Sequence, residues 1–222
     1  MPEVSTMTEP NGSSSLSVRL VTGVLLVIAS GLACASHSVL VPPRLNLVPY
    51  GQIGLVTFTA ENAKGSLHEF ATRRFSEYML AAQTGIEVME LGAADSVLRR
   101  THATELGPAA AQALGGERGV PVVFFGHLKV SNVKPSGGLV RLAVPRLEAT
   151  VSAELSVELL STKSGGTLWR SSAAATEKVG GLALVDGEPV FSAKDPNDAY
   201  GQLVNRLVYA VTYDLRSTWV KQ

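Results

Sequence analysis

From Val151 to Leu159 every second residue is apolar: Val151, Ala153, Leu155, Val157 and Leu159, separated by Ser152, Glu154, Ser156 and Glu158. Side chains of a strand alternate between faces, so a period of two fixes both the element and the face it buries. One dry face and one wet face is the pattern of an antiparallel strand with solvent on one side. Thr162-Lys163-Ser164-Gly165-Gly166 follows as a turn by composition, and a return strand is predicted from Thr167 to about Val179.

A different pattern precedes this hairpin. Gln52 to Thr59 is short, apolar and β-branched, and reads as a buried strand. A helix is predicted from about Lys64 to Gln83, ended by Gly85. Its inner face carries Leu67, Ala71, Phe75, Tyr78, Met79 and Ala82, and its outer face largely His68, Glu69, Arg73 and Glu77. Ile86 to Leu91 is a second strand, and strand–helix–strand makes a parallel βαβ unit. Asp95 to Arg100 and Pro108 to Leu114 read as short helices, the second broken by LGGERG. VPVVFFGHLKV, within Val120 to Val133, is a central strand by its continuous apolar run. Asp195-Pro196 opens a final helix, with Asp195 as cap and Pro196 at the first helical position. Its inner stripe runs through Tyr200, Leu203, Val204, Leu207, Val208, Val211, Leu215 and Trp219.

The expectation is an α/β chain with an α+β tendency. It has a mixed sheet of about five strands, a parallel βαβ start, an antiparallel hairpin and a C-terminal helix packed on the sheet. One domain would span residues 50–222, and 45% hydrophobic residues suffice for its core.

Residues 1–18 are polar and rich in Ser, Thr, Pro and Glu, and are expected to stay unstructured. Arg19 and an apolar run from Leu20 to Ala33 follow. That run is short of the roughly 20 residues of a bilayer span and matches the about 7–15 of a signal-peptide core. Residues 1–33 are therefore predicted as leader plus export segment, and residues 34–49, with Pro42, Pro43 and Pro49, as an extended tether. The single cysteine, Cys34, stands at the junction. Gly31-Leu32-Ala33-Cys34 resembles the lipobox of bacterial lipoproteins, with Gly31 where an aliphatic residue is usual. That resemblance implies lipidation of Cys34, an N-terminal lipid anchor in a membrane, and a place in the cell envelope. Ala35 resembles the pattern that sorts such proteins to the outer membrane, facing the periplasm. Three other readings stay open. Ala33-Cys34-Ala35 also fits an A-x-A cleavage rule that would release a soluble protein. The segment could remain as an uncleaved anchor, or form a core helix with Cys34 as an apolar filler.

Charge and chemistry narrow the function. Lys plus Arg number 19 and Asp plus Glu 19, which argues against a nucleic-acid partner. One cysteine excludes an intramolecular disulfide and a multi-cysteine metal site. His68-Glu69 lacks the second histidine of a zinc-protease helix. His127, among Phe124, Phe125 and Leu128, reads as a structural histidine, with a general base as the alternative. No G-x-S-x-G elbow is present, and the pairs Gly115-Gly116, Gly137-Gly138 and Gly180-Gly181 lack the Lys-Ser or Lys-Thr of a phosphate loop. Glu87, Glu90 and Asp95 could serve acid–base chemistry, but a solvated strand end explains them equally. Neither enzyme activity, nor a metal, nor a cofactor is expected. Tyr213, Arg216 and Trp219, on the last turns of the predicted terminal helix, are the candidate partner surface.

The order of these elements resembles a known group. GQIGLVTFTAEN, a helix, TGIEVMELG, then VPVVFFGHLKV with Gly126 midway, and LSVELLSTKSGGTLWRSSAAAT with Trp169 on the return strand, resemble the curli-secretion (CsgG-like) lipoproteins and the TolB amino-terminal domain. The resemblance covers roughly residues 50–220. It implies a non-catalytic envelope assembly, accessory or protein-interaction module, with a protein partner and self-association both open. Pore-forming members carry long hairpins across the membrane. Lys134 to Glu148 is short and interrupted by Pro135 and Pro145, which disfavours a pore, since a spanning strand takes about 9–11 residues. The competing expectation is a soluble periplasmic or secreted domain binding a small ligand or cell-wall fragment.

Overall fold

The alternating segment lies inside a long strand at the middle of a mixed sheet. In chain order the computed structural model contains β1 (Ser38–Val41), β2 (Gln52–Thr57), β3 (Thr59–Glu61), α1 (Leu67–Ala82), β4 (Glu87–Ala93), α2 (Ala94–Thr101), α3 (Pro108–Arg118), β5 (Val122–Val130), β6 (Lys134–Gly138), β7 (Arg146–Ser161), β8 (Thr167–Val185), β9 (Glu188–Ala193), α4 (Pro196–Val211) and β10 (Thr218–Lys221). Single 3-10 turns occupy Val48–Tyr50 and Tyr213–Leu215. The structure describes the backbone of residues 38–63, 65–131, 134–138, 146–185, 188–193 and 196–221. Side chains are described for the same residues except 134–138, 146–149, 179, 181–185, 188–193 and 196–199. Cys34, the leader and Asp195 lie outside the described residues.

Two compact units divide the chain. One is Pro42–Thr218, and the other takes in Met1–Val41 and Trp219–Gln222. In the described part of the smaller unit, β1 and β10 pair as a two-stranded ribbon.

The larger unit holds the main sheet, in the order β4-β2-β5-β7-β8-β9, with β3 continuing alongside β5 and β6 alongside β7. The βαβ start is parallel, with Ile53 opposite Val88 and Leu55 opposite Glu90. β5 is parallel to β2 and antiparallel to β7, so it is the strand where the sheet changes sense. Along β5 the apolar residues serve both faces. Val122, Phe124, Leu128 and Val130 join one core with α1 and α4, while Val123 and Phe125 join another with α2 and α3. β7 keeps to its predicted phase, with Val151, Leu155, Val157 and Leu159 buried beneath α4 and α1 and Glu154 exposed. Phe58, Phe75, Phe124 and Trp169 form a chain of tilted and edge-on rings through this core, at centroid distances of 5.4, 5.1 and 6.0 Å. Such pairs add about 0.5–1.5 kcal/mol beyond the area they bury. The mixed α/β class, the antiparallel hairpin and the terminal helix on the sheet are all as expected. The strand count is larger, because β3, β6 and β9 extend the sheet.

Element boundaries differ at four places, each for a local reason. α1 begins at Leu67 because Gly65 has φ of 66°, outside the helical region. α3 runs through Gly115-Gly116 and stops only at Gly119, whose φ of 72° is a left-handed cap. A Cβ on Gly115 would lie 2.5 Å from Thr162 Cβ, so glycine there permits a close approach of helix to strand end that outweighs its poor helix propensity. α4 ends at Val211 instead of running on to Trp219. Thr212 Oγ1 donates back to the Val208 carbonyl at 2.7 Å, and the chain turns through Tyr213–Leu215 into extended Arg216. Leu215 is buried as expected, but Trp219 sits on β10 and is 69% exposed, so it is neither helical nor core.

The fourth difference concerns the expected tether. Its end is built into the fold: Leu47 is fully buried, and its N–H donates to Gln83 Oε1 at 2.7 Å. Gln83 Nε2 donates to the carbonyls of Leu45 and, at 3.0 Å, Leu215. One buried amide side chain thus ties the lead-in segment at Leu45–Leu47, the end of α1 and the C-terminal turn together. No helix among the described residues is long and apolar enough to cross a membrane.

Candidate functional site

The turn that ends α4 gathers an exposed aromatic and guanidinium cluster. Tyr209 on the last turns of the helix and Tyr213 on the 3-10 turn are 56% and 52% exposed. Arg216 folds back between them, with its guanidinium 3.7 Å from the Tyr209 ring centroid and 5.9 Å from that of Tyr213. It also donates to the Tyr209 carbonyl, which occupies one arm of the fork and leaves its buried Nε without a partner. Tyr78 of α1 packs edge-on against Tyr209 at 6.1 Å. The cluster is held from behind, because Asp214 accepts from Trp169 Nε1 at 3.2 Å and its carbonyl accepts the Leu45 N–H at 3.0 Å. A cation over an aromatic face contributes about 0.5–1 kcal/mol at exposed sites. More important here, it fixes two amphipathic rings that would otherwise lose rotamer freedom on contact with a partner.

Of the three residues expected at this surface, Tyr213 and Arg216 are brought together, and Trp219 belongs to the β1–β10 ribbon of the other unit. Tyr209 completes the cluster without having been expected. Its spacing of four from Tyr213 and seven from Arg216 was the available signal, obscured because Tyr209 follows the inward-facing Val208.

A second feature lies on the wet face of the hairpin. α2 and α3 cover β4, β2, β5 and the end of β7 at Leu160, and beyond them a cleft of about 460 Å³ opens over β5, β7 and β8. Its apolar walls are Leu98, Leu106 and Phe125, and its polar groups are Thr59, His127, Ser156, Glu158 and Arg170. Register explains the grouping: Phe125 lies opposite Glu158, His127 opposite Ser156, and Glu158 opposite Arg170. Thr59 Oγ1 lies 2.8 Å from His127 Nδ1, Glu61 lies 3.8 Å from its Nε2, and Arg170 pairs with Glu158 at 2.6 Å. His127 is therefore hydrogen-bonded, as a structural histidine would be, but it lies half exposed over the sheet and not in a core of phenylalanines.

The remaining candidates do not converge. Glu87 and Glu90 are exposed on edge strand β4, and Asp95 is exposed in the first turn of α2. Among the described residues no three His, Cys, Asp or Glu side chains gather as metal ligands would.

Together these elements define an α/β domain with a mixed sheet, helices on both faces and an antiparallel arm. No family model and no curated protein matches the chain. Solved structures with a similar backbone course include a PelC dodecamer from Paraburkholderia phytofirmans, at 14% identity over 82% of this chain and 97% of that one, with a TM-score of 0.42. Lipoprotein GNA1162 from Neisseria meningitidis matches at 15% identity over 70% and 94%, with a TM-score of 0.39. The LpoB C-terminal domain from Salmonella enterica matches at 12% identity over 68% and 93%, with a TM-score of 0.33. Scores this low leave the functional reading to the chain's own residues.

Proposed function

We propose that this protein is an exported bacterial lipoprotein, anchored through Cys34, that acts as a non-catalytic interaction module in the cell envelope. The carrying observation is the position of the only cysteine, directly after Ala33 at the end of the apolar run that starts at Leu20. The Tyr209–Tyr213–Arg216 cluster supports the interaction role. Tyr and Arg are the residue types in which interface energy concentrates, and here the two tyrosines are exposed and the half-buried Arg216 holds them in place. The anchor would hold the domain at a membrane, on the periplasmic side of the outer membrane in this reading, leaving that surface free for an envelope protein or a second copy.

The test is the intact mass of membrane-extracted protein together with fractionation of Cys34→Ser. The expected wild-type mass begins at Cys34 and carries acyl chains, and the variant leaves the membrane fraction or stalls uncleaved. At about 0.8 kcal/mol per buried CH₂, several chains hold a protein on a bilayer where one does so only marginally. Wild-type protein found wholly in the soluble fraction would falsify the anchor.

The cleft beside His127 favours a second reading, a released domain that binds a small ligand or cell-wall fragment. Its apolar walls beside convergent polar groups are features of a ligand pocket. A mature N-terminus at Ser36 is the outcome that selects it.

A further inference from the structure

Five of the eight residues in the ribbon of β1 and β10 are apolar and lie on both faces, with Ser38, Thr218 and Lys221 at its ends. Val39, Leu40 and Val41 are 43%, 49% and 40% exposed, and Trp219 and Val220 are 69% and 48% exposed. Because neighbours on a strand alternate, Val39 and Val41 share a face that Leu40 does not, and Trp219 and Val220 divide likewise. A two-stranded ribbon is at best marginal in water and needs an apolar partner for at least one face. Strands meant for solvent carry polar residues on the wet side, as β7 does.

Chain position identifies the partner. β1 begins four residues after Cys34 and five after the end of the apolar segment Leu20–Ala33. Four residues span at most about 14 Å at full extension, so a chain held at Cys34, or by an uncleaved segment, keeps the ribbon within reach of the lipid headgroups. That zone suits a side chain with an apolar body and a polar N–H, and tryptophan is enriched there. We infer that the β1–β10 ribbon is a membrane-contacting element, in which Val39, Leu40, Val41, Trp219 and Val220 seat in the surface of the bilayer that anchors the chain. It provides a second, protein-built contact and draws both ends of the folded chain to the membrane. The inference rests on the envelope reading for its choice of partner, but it makes a claim of its own about Trp219.

The experiment uses the full chain, as purified from the membrane, in vesicles of phosphatidylethanolamine and phosphatidylglycerol with and without brominated acyl chains. The protein has two tryptophans, and only Trp219 is highly exposed. Brominated lipid should quench fluorescence in the wild type. Trp219→Phe should abolish that quenching, and Leu40→Asp, at another exposed position of the ribbon, should do the same while leaving the fold intact by circular dichroism. Membrane-bound protein whose Trp219 is reached by aqueous iodide and not by bromolipid overturns the inference. So does Trp219 shielded from iodide in a concentration-dependent way without lipid quenching, which would place a second copy on the ribbon. Intact mass separates the two claims. A chain starting at Ser36 that still binds vesicles with quenched Trp219 removes the lipid anchor and keeps the ribbon, whereas one that ignores vesicles removes both.

Discussion

Gln83 and Gly126 show how much of this fold hangs on single residues. Gln83 is 4% exposed and uses both ends of its amide to bind Leu45, Leu47 and Leu215. Gln83→Ala leaves two buried backbone groups and one part-buried one without those bonds, and each buried group left so costs about 1–3 kcal/mol. Partial access of water lowers the total, so a loss of about 2–4 kcal/mol is expected by urea denaturation. A loss under about 1 kcal/mol would show that the clamp is dispensable. Gly126 is stricter. A Cβ there would lie 2.4 Å from Phe58 Cδ1, and Phe58 is itself wedged against Phe75. Gly126→Ala should therefore destabilise by about 1–3 kcal/mol or more through overpacking, read as a lowered melting temperature. A glycine inside a strand is a visible sign of close approach. That the approaching group is Phe58, sixty-eight positions earlier, is a matter of tertiary pairing that no local pattern encodes.

At the scale of elements, legibility followed periodicity. β7 could be read because its period of two is unbroken, and α1 and α4 because their apolar stripes are long. β1, β3 and β10 are three or four residues each, too short to display any period. β9 follows β8 across Asp186-Gly187, a pair favoured between hairpin strands, so that strand was within reach of local rules. The Gly115-Gly116 pair misleads because a packing demand from Thr162 overrides helix propensity. The phase of β7 yields a sharp test. Leu155 is fully buried and Glu154 is exposed on the adjacent position. Leu155→Asp places an unpaired charge in the core at a cost of several kcal/mol and should abolish soluble expression, while Glu154→Gln should leave the melting temperature nearly unchanged. Similar tolerance of both would refute the register shown here.

For the whole molecule, the aromatic and guanidinium cluster at the end of α4 was half legible. Tyr213 and Arg216 are identifiable as large side chains near the C-terminus, but the apolar stripe predicts a helix past Val211, which puts Trp219 on the wrong element and passes over Tyr209. A side-chain bond from Thr212 back to Val208 decides where that helix ends, and threonine makes such bonds in helices and at their ends alike. The division of roles between the cluster and the cleft leads to the final prediction. If the domain works by association, its function lies in a few fixed aromatic and guanidinium anchors and not in any one titrating group. In a strain complemented with single variants, His127→Ala, Glu90→Gln and Asp95→Asn should each restore the envelope phenotype of the deletion to near wild type, once circular dichroism confirms the fold. Tyr209→Ala, Tyr213→Ala and Arg216→Glu act at half-exposed positions, so their effect on stability should be small, within about 1 kcal/mol. At an interface hot spot the same truncations cost about 2 kcal/mol or more of binding, roughly a thirtyfold weaker complex. They should therefore fail to complement while remaining folded and membrane-bound. Loss of function in a folded His127→Ala or Glu90→Gln variant, with the tyrosine variants active, would move the function into the cleft or onto the β4 edge and end the interaction-module reading.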